Sequence, residues 1–187
     1  ATGELLWFYN LNEGERGQNA PRQLSGRGLA YWRAGDEERV VYVTPGYQMV
    51  ALDAATGIPV SEFGNNGIVD LKQNADQQID LVTGEIGLHS TPIVAKDVVI
   101  VGAAHRTGGN PRSRENVKGY VRGFDARTGE RKWIFHTIPG ADEFGNDTWG
   151  GDSWRETGKV GVWTMMSIDS ELGYIYLPVS YTHLRAH

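Results

Sequence analysis

The feature that most constrains the fold of this chain is a short motif that occurs three times, in whole or in part. The fullest copy is residues 125–133, Asp-Ala-Arg-Thr-Gly-Glu-Arg-Lys-Trp, and it follows an apolar segment. Asp and Thr side chains can accept hydrogen bonds from the amides of a tight turn, and glycine supplies the positive φ that such a turn often needs. The motif therefore predicts a strand, a tight turn and a second strand.

The other two copies of the motif are partial. Residues 53–57 repeat the Asp-x-x-Thr-Gly half, and residues 2–7 repeat the second half, so that Trp7 and Trp133 each lie four residues after a glycine. In the copy at 53–57 the tryptophan is missing, and Phe63 is the candidate to replace it. A strand–turn–strand unit that recurs at irregular spacing is typical of β-propeller blades with inserted loops.

Strand signals between the motifs fit this architecture, and the sequence predicts no helix. Residues 1–9 are expected to form the last strand of a blade whose earlier strands precede the chain. Alternating and β-branched segments predict one blade, a second blade and the first hairpin of another. They are residues 28–32, 40–44 and 48–52, then 91–94, 98–101, 119–124 and 132–136, then 162–168 and 174–179. The prediction is an all-β partial propeller over residues 1–179, with residues 180–187 as a non-native tail.

Composition excludes several classes of function. The formal net charge is −5, which argues against a nucleic-acid groove. The absence of cysteine excludes disulfides and thiolate metal sites. The chain also has no phosphate-binding loop, nucleophile elbow or dinucleotide fingerprint. A partner among nucleic acids is therefore not expected.

Three further stretches are more specific than the repeat. They are Gly-Arg-Gly-Leu-Ala-Tyr-Trp at 26–32, Arg-Glu at 114–115 followed by 119–125, and residues 137–140 with 148–154 and 162–163. Through them the chain resembles the quinoprotein dehydrogenases, which oxidise alcohols and sugars with pyrroloquinoline quinone (PQQ). The resemblance implies an eight-bladed propeller with the quinone on its axis. The chain would then be an N-terminal-half fragment, and the catalytic aspartate would lie beyond residue 187.

The resemblance also assigns residues to the cofactor. PQQ is a planar quinone with three carboxylates, so it needs cations, a flat apolar surface and a Lewis acid near its carbonyls. Arg27 matches the family's carboxylate-binding arginine, and Trp163 matches the tryptophan on which the quinone stacks. Glu115 matches the carboxylate that ligates Ca²⁺. The alternatives are a surface arginine, a buried core tryptophan and a loop glutamate paired with a nearby arginine.

A third contact is expected at the start of the second blade. His89 stands where relatives place a hydroxyl that touches the cofactor, and Ser90 or Thr91 could serve instead. An ordinary histidine at a strand end is the favoured interpretation of His89. His105 and His136 are not spaced as zinc ligands.

The expected function is that of a dehydrogenase in which this chain is one part. The whole protein would oxidise a sugar or alcohol hydroxyl and pass electrons to a membrane quinone or a cytochrome c. It would be periplasmic, with any inner-membrane anchor on a segment outside this chain. The absence of a vicinal cysteine pair before Arg27 favours the sugar and polyol branch. The alternative is a non-enzymatic propeller that serves as an assembly or binding scaffold, and the isolated fragment is expected to be inactive.

Overall fold

A computed structural model describes residues 2–23, 28–88, 90–106 and 117–179, and the fold is all-β in these ranges. Two single-turn α-helices lie in loops, α1 (Glu15–Gln18) and α2 (Ser153–Glu156), together with a 3₁₀ turn at Asn146–Thr148. In the described residues no helix is long and apolar enough to cross a membrane. The strands are β1 (Ala30–Ala34), β2 (Glu37–Val43), β3 (Gln48–Asp53), β4 (Ile68–Asp70), β5 (Ile86–Gly87), β6 (Ile93–Ala95), β7 (Val98–Val101), β8 (Ala104–His105), β9 (Val121–Asp125), β10 (Arg131–Phe135), β11 (Ser167–Asp169) and β12 (Tyr174–Tyr176).

The strands form two four-stranded sheets whose neighbours are all antiparallel. Blade 1 has the order β1-β2-β3-β4, and blade 2 has the order β6-β7-β9-β10. The hairpin β11–β12 follows blade 2 in the chain, and β5 pairs with β8 in a separate short sheet. Sheets that follow chain order and repeat side by side are the blades of a propeller, which confirms the predicted fold class.

The structure differs from the predicted elements in several places, among them the short strands β5 and β8 and the single-turn helices α1 and α2, none of which was predicted. Residues 68–70 were expected in a loop, but they follow the turn at Asn66 and Gly67 and pair with β3 as the fourth strand. Residues 2–13 form no strand in the described part of the chain, because no neighbouring segment there pairs with them. Residues 162–166 are also not a strand; the hairpin begins only at β11.

The Asp-x-x-Thr-Gly turns have the geometry that the motif predicts. Asp125 Oδ1 accepts hydrogen bonds from the backbone N–H groups of Arg127 and Thr128 at 2.8 and 3.0 Å. Gly129 has a φ of 74° and donates its N–H to the Asp125 carbonyl at 2.9 Å. The turn at 53–57 repeats this arrangement, and hydrogen bonds from Thr56 lower the pKa of the Asp53 carboxyl.

A further copy of the same pattern, Asp-Leu-Val-Thr-Gly at 80–84, was not singled out in the sequence. Asp80 Oδ1 accepts from the N–H groups of Val82 and Thr83 at 2.8 and 2.7 Å, as in the blade turns. No strand leads into this turn, since residues 71–85 contain no strand, although the two-residue β5 follows it at Ile86. The pattern therefore encodes a turn, and adjacent apolar strands are needed to make it part of a blade.

Aromatic side chains of one blade pack on the turns of the next. Trp7 Nε1 donates to the Ala54 carbonyl at 3.0 Å, and its ring covers Gly57, where a Cβ atom would lie only 2.4 Å from the indole. Phe63 is fully buried and also packs on the next turn, since a Cβ atom on Gly129 would lie 3.4 Å from its ring and 2.6 Å from Val69 Cγ2. The prediction that Phe63 replaces the missing tryptophan is therefore confirmed.

The core is divided between the two faces of each blade. Val99 and Val101 of β7 point into the cluster shared with blade 1, whereas Ile100 points to the opposite face. There it packs with Val162 and with apolar residues of the following hairpin. Because successive strand residues face opposite sides, each blade is buried between two neighbours.

His105 fills a space created by glycines next to blade 2. A Cβ atom on Gly119 would lie 2.7 Å from the His105 Cε1 atom, and a Cβ atom on Gly161 would lie 3.3 Å from it. Its Nε2 atom is shielded from solvent and has no hydrogen-bond partner among the described residues. Burial lowers the pKa of His105 to about 4, although a hydrogen bond with the Val117 backbone acts in the opposite direction.

The aromatic docking predicts a specific loss of stability. Phe63→Ala removes a fully buried ring, so the opening free energy of the blade 1–blade 2 contact should fall by about 3 kcal/mol. Native-state hydrogen exchange at the Gly64 amide reports this, because that amide donates to the Thr128 carbonyl across the interface. Phe144→Ala is the matched control, since Phe144 is completely exposed. Equal Gly64 protection in both variants would contradict the packing.

The environment of His105 predicts an unusual titration. The folded chain should bind a proton at His105 only near pH 4, whereas the unfolded chain binds it near the ordinary value of 6.5. The unfolded state therefore holds more protons between these values, and stability falls as the pH decreases through that window. An NMR titration of the ring, assigned with His105→Asn, measures this directly. A folded-state midpoint near 6.5 would refute it.

Candidate cofactor site

The two blades approach each other most closely at their first strands. β1 contacts β6, which places these strands nearest to the axis that the blades share. β6 and β7 pair with Ile93 opposite Ile100, so the residues before β6 and after β7 reach the same end. We call this the inner end: it is the end at which the residues before β6 and after β7 lie. Residues of both blades can contribute to a site there.

Gly28 and Thr91 bring the two blades into contact at the inner end. A Cβ atom on Gly28 would lie 1.5 Å from Thr91 Oγ1, so only glycine fits there. Gly28 directly follows Arg27 and precedes β1, whereas Thr91 precedes β6. The chain direction thus brings the first predicted stretch, 26–32, next to the predicted hydroxyl pair.

Ser90 has a buried hydroxyl group that could bind a ligand. Its residue exposure is 7%, and its Oγ atom has no hydrogen-bond partner among the described residues. A buried hydroxyl without a partner costs about 1–3 kcal/mol, so such groups call for a specific explanation. Ser90 and Thr91 thus lie side by side at the contact between the blades, and their predicted role in binding a cofactor stays a prediction.

Trp163 lies at the same end of blade 2. The Val162 carbonyl accepts a hydrogen bond from the Ala103 N–H at 3.0 Å, just after β7 ends. Gly102 allows this approach, because a Cβ atom there would stand 2.2 Å from the Val162 oxygen. Val162 is fully buried, and the next residue, Trp163, is 44% exposed.

The exposure of Trp163 argues against its alternative as a core residue. All six tryptophans are described, and Trp163 is the only one in the exposed class, whereas Trp32 is almost completely buried. A tryptophan that is held in place by its buried neighbour and is partly exposed itself can offer a flat contact surface.

Arg27, Glu115 and His89 lie outside the described residues, so their predicted roles stay predictions. Within the described ranges no group of three His, Asp or Glu residues could hold a metal ion. The calcium site predicted at Glu115 is therefore not tested by the structure.

Together the described residues can hold one face and one edge of a flat polar ligand. Trp163 supplies an apolar plane, and Ser90 and Thr91 supply hydroxyl groups. None of these three side chains is a general base, and the position of the catalytic aspartate stays a prediction.

Sequence reasoning missed the residues that support this site. Gly102, Gly119 and Gly161 each permit a backbone approach that a Cβ would block, and the residues 119 and 161 form an isolated bridge. Tyr47 also escaped notice, although its side chain reaches from blade 1 to the Gly102 carbonyl at 2.8 Å. The glycines left a signal in their positions after β7 and before β9, but nothing in the local sequence marks Tyr47.

The chain is similar in sequence to several dehydrogenases. It is 28% identical over 185 residues to the glycerol dehydrogenase large subunit of Gluconobacter oxydans, covering 95% of this chain and 23% of that protein. It is 30% identical over 189 residues to the quinohemoprotein alcohol dehydrogenase ADH IIB of Pseudomonas putida, covering 95% and 24%. The chain thus spans about a quarter of the length of these relatives.

The solved structure of the quinohemoprotein alcohol dehydrogenase from Comamonas testosteroni aligns with a TM-score of 0.66 at 25% identity. The alignment covers 95% of this chain and 25% of that one. The family model described as the PQQ "glucose/ethanol/alcohol dehydrogenase, beta-propeller domain" matches residues 1–184. With its blades, its inner-end residues and this match, the chain belongs to the β-propeller family of PQQ-type glucose, ethanol and alcohol dehydrogenases.

Proposed function

We propose that this chain is the PQQ-binding part of a quinoprotein dehydrogenase that oxidises the hydroxyl group of an alcohol, polyol or sugar. The structural observation that supports it most is the buried Ser90 hydroxyl at the inner end of the blades, for which the described residues offer no hydrogen-bond partner. The relatives by name include a glycerol dehydrogenase and quinohemoprotein alcohol dehydrogenases. The glycerol enzyme agrees with the sugar and polyol branch, which remains part of the proposal.

The residues at the inner end suit PQQ. Trp163 would take the quinone ring on its open face, and the Ser90 hydroxyl would donate to a cofactor oxygen. Thr91, whose position is fixed by its contact with Gly28, would supply a second hydroxyl group to the same edge of the cofactor. Arg27 would pair with a PQQ carboxylate, because it adjoins Gly28 in sequence. Each of these groups matches a chemical feature of the cofactor.

PQQ, when bound, accepts two electrons as a hydride from the substrate carbon. The residues of this chain would bind and orient the cofactor rather than move the substrate proton. Glu115 would contribute two oxygens to a calcium ion beside the quinone, which supplies the Lewis acid. The proton would pass to an aspartate outside the chain, and the electrons to a membrane quinone or cytochrome c. A periplasmic location completes the proposal.

The second candidate is a non-enzymatic propeller scaffold. It accounts equally well for the blades and for the aromatic docking at Gly57 and Gly129. It offers no reason for a buried Ser90 hydroxyl that finds no partner in the described ranges, or for the 44% exposure of Trp163. The dehydrogenase is therefore the better supported of the two.

Charge removal at the predicted cofactor residues separates these candidates. With PQQ and Ca²⁺, the full-length protein should reduce a dye in the presence of an alcohol or sugar. Arg27→Met and Glu115→Gln should each lower this activity by about 100-fold or more, which corresponds to about 3 kcal/mol for a lost charged contact.

The matched controls are Arg33→Met and Glu38→Gln. These two side chains form a mostly exposed ion pair at 3.4 Å, so their loss should leave activity within twofold. If the Arg27 and Glu115 variants behave like the controls, the scaffold is the correct interpretation. A full-length protein that is inert with all common alcohols and sugars would also rule out the dehydrogenase.

The isolated 187 residues should behave differently from the whole protein. Leu5, Leu6 and Phe8 are about 80% exposed, and their segment pairs with no strand among the described residues, so this chain alone would leave apolar surface open to association. We expect no turnover and no sharp thermal transition from this chain alone, as measured by calorimetry and dye reduction. A cooperative melt of a monomer would show that expectation to be wrong.

A further inference from the structure

Tyr47 has an unfavourable backbone conformation for a bulky residue. It lies in the turn between β2 and β3 with a φ of 67°, in the left-handed region that bulky residues rarely adopt. Its side chain is completely buried between the blades. Strain of this kind persists only where the surroundings fix it, and it is concentrated at functional sites.

The backbone of Tyr47 is fixed from three sides. Its N–H donates to the Thr44 carbonyl at 3.0 Å. Its carbonyl accepts from the Leu71 N–H at 3.1 Å and from the Arg16 guanidinium at 3.2 Å. The strained turn thus aims the phenol ring out of blade 1 in one direction.

The Tyr47 hydroxyl lies in a chain of hydrogen bonds that crosses the blade interface. It donates to the Gly102 carbonyl at 2.8 Å and accepts from Arg122 Nη2 at 3.3 Å. The same Arg122 nitrogen donates to the Leu71 carbonyl at 2.6 Å, and Nη1 donates to Gln73 at 3.2 Å. Because the acceptor carbonyls fix the guanidinium, and the guanidinium polarises the hydroxyl, the bonds support one another.

Arg122 is unusual in being an arginine with only 2% exposure. The hydrogen bonds found for it among the described residues go to two carbonyls and a phenol, and its guanidinium also lies 5.6 Å from the Tyr47 ring and 5.4 Å from Phe124. Burial of a charge costs free energy unless the charged group is well hydrogen-bonded. Packing alone therefore does not explain an arginine at this position.

The chain of bonds ends at the segment that carries Trp163. Gly102, which accepts from Tyr47, also touches the Val162 carbonyl, and Ala103 donates to that same oxygen at 3.0 Å. The position of the 102–103 peptides therefore sets the position of residue 162. Trp163 is the next residue in the chain.

We propose that Arg122 and Tyr47 are positioning residues that set the orientation of the Trp163 indole through Gly102 and Val162. Blade 1 thereby determines the stacking plane that blade 2 presents. The purpose assigned to that plane, holding PQQ, rests on the proposed function above. The mechanical connection from Tyr47 to Trp163 does not.

Fluorine NMR of the full-length apo protein labelled with 5-fluorotryptophan tests this connection without any cofactor. Trp163→Phe and Trp32→Phe assign the two resonances that matter. Tyr47→Phe deletes one hydroxyl and should shift or broaden the Trp163 resonance while Trp32 stays in place. Arg122→Lys should do the same, because a lysine cannot bond the phenol and both carbonyls in the original geometry.

Arg39→Lys is the matched control. Arg39 is also a buried arginine between the blades, but it donates to the Ala126 and Arg127 carbonyls and lies 5.1 Å from the Trp32 ring. This variant should shift Trp32 and leave Trp163 unchanged. An unchanged Trp163 resonance in Tyr47→Phe, or equal shifts of both tryptophans, would overturn the proposal, because the hydroxyl would then serve only general packing.

Cofactor binding gives a second readout. Tyr47→Phe should weaken PQQ binding by about fivefold, the equivalent of one ordinary hydrogen bond, and Arg39→Lys should not. If Tyr47→Phe shifts Trp163 and the wild-type protein binds no PQQ, the proposed function fails and the positioning role stands. If PQQ binds and neither the Trp163 resonance nor the affinity responds to Tyr47→Phe, the positioning role fails and the proposed function stands.

Discussion

The structure depends on the contact between an aromatic side chain of one blade and the glycine turn of the next. Trp7 covers Gly57, and Phe63 covers Gly129; in both turns the aspartate fixes the backbone so that a flat surface faces the ring. A Cβ on either glycine would collide with the neighbouring side chains, so the turn and the packing require the same residue. A blade cannot bury its faces alone. The contact between an aromatic side chain and a glycine turn sets the position of each blade relative to the next.

When the blades are held in these relative positions, the inner ends of their first strands contact each other. The candidate site is formed by the residues at that contact. Gly28 contacts Thr91 there, and Gly102 receives the segment that ends at Trp163. The residues that would touch PQQ come from different blades, so their relative positions are only as accurate as the blade interface. The buried Arg122 and the strained Tyr47 are consistent with that demand, since they bond one blade to the site-bearing edge of the other.

The sequence predicted the repeated elements well, because the cause of each is local. The turns at 53–57 and 125–129 each follow from a few adjacent residues. The short β4 was missed, because three residues carry no periodicity and pair only through β3. For the site, resemblance indicated Ser90 and Trp163, and the structure adds their burial and exposure. Tyr47 could not be predicted, because its contacts lie 55 and 75 residues away in sequence.

The most direct test of the account is a titration of the full-length apo protein with PQQ, followed by tryptophan fluorescence. Stacking of the quinone on Trp163 predicts a saturable quenching that Trp163→Phe largely abolishes, whereas Trp149→Phe, a change in the loop before α2, retains it. Saturable quenching that is the same in the wild type and in Trp163→Phe would contradict the account, because the quinone would then bind away from the inner end of the blades.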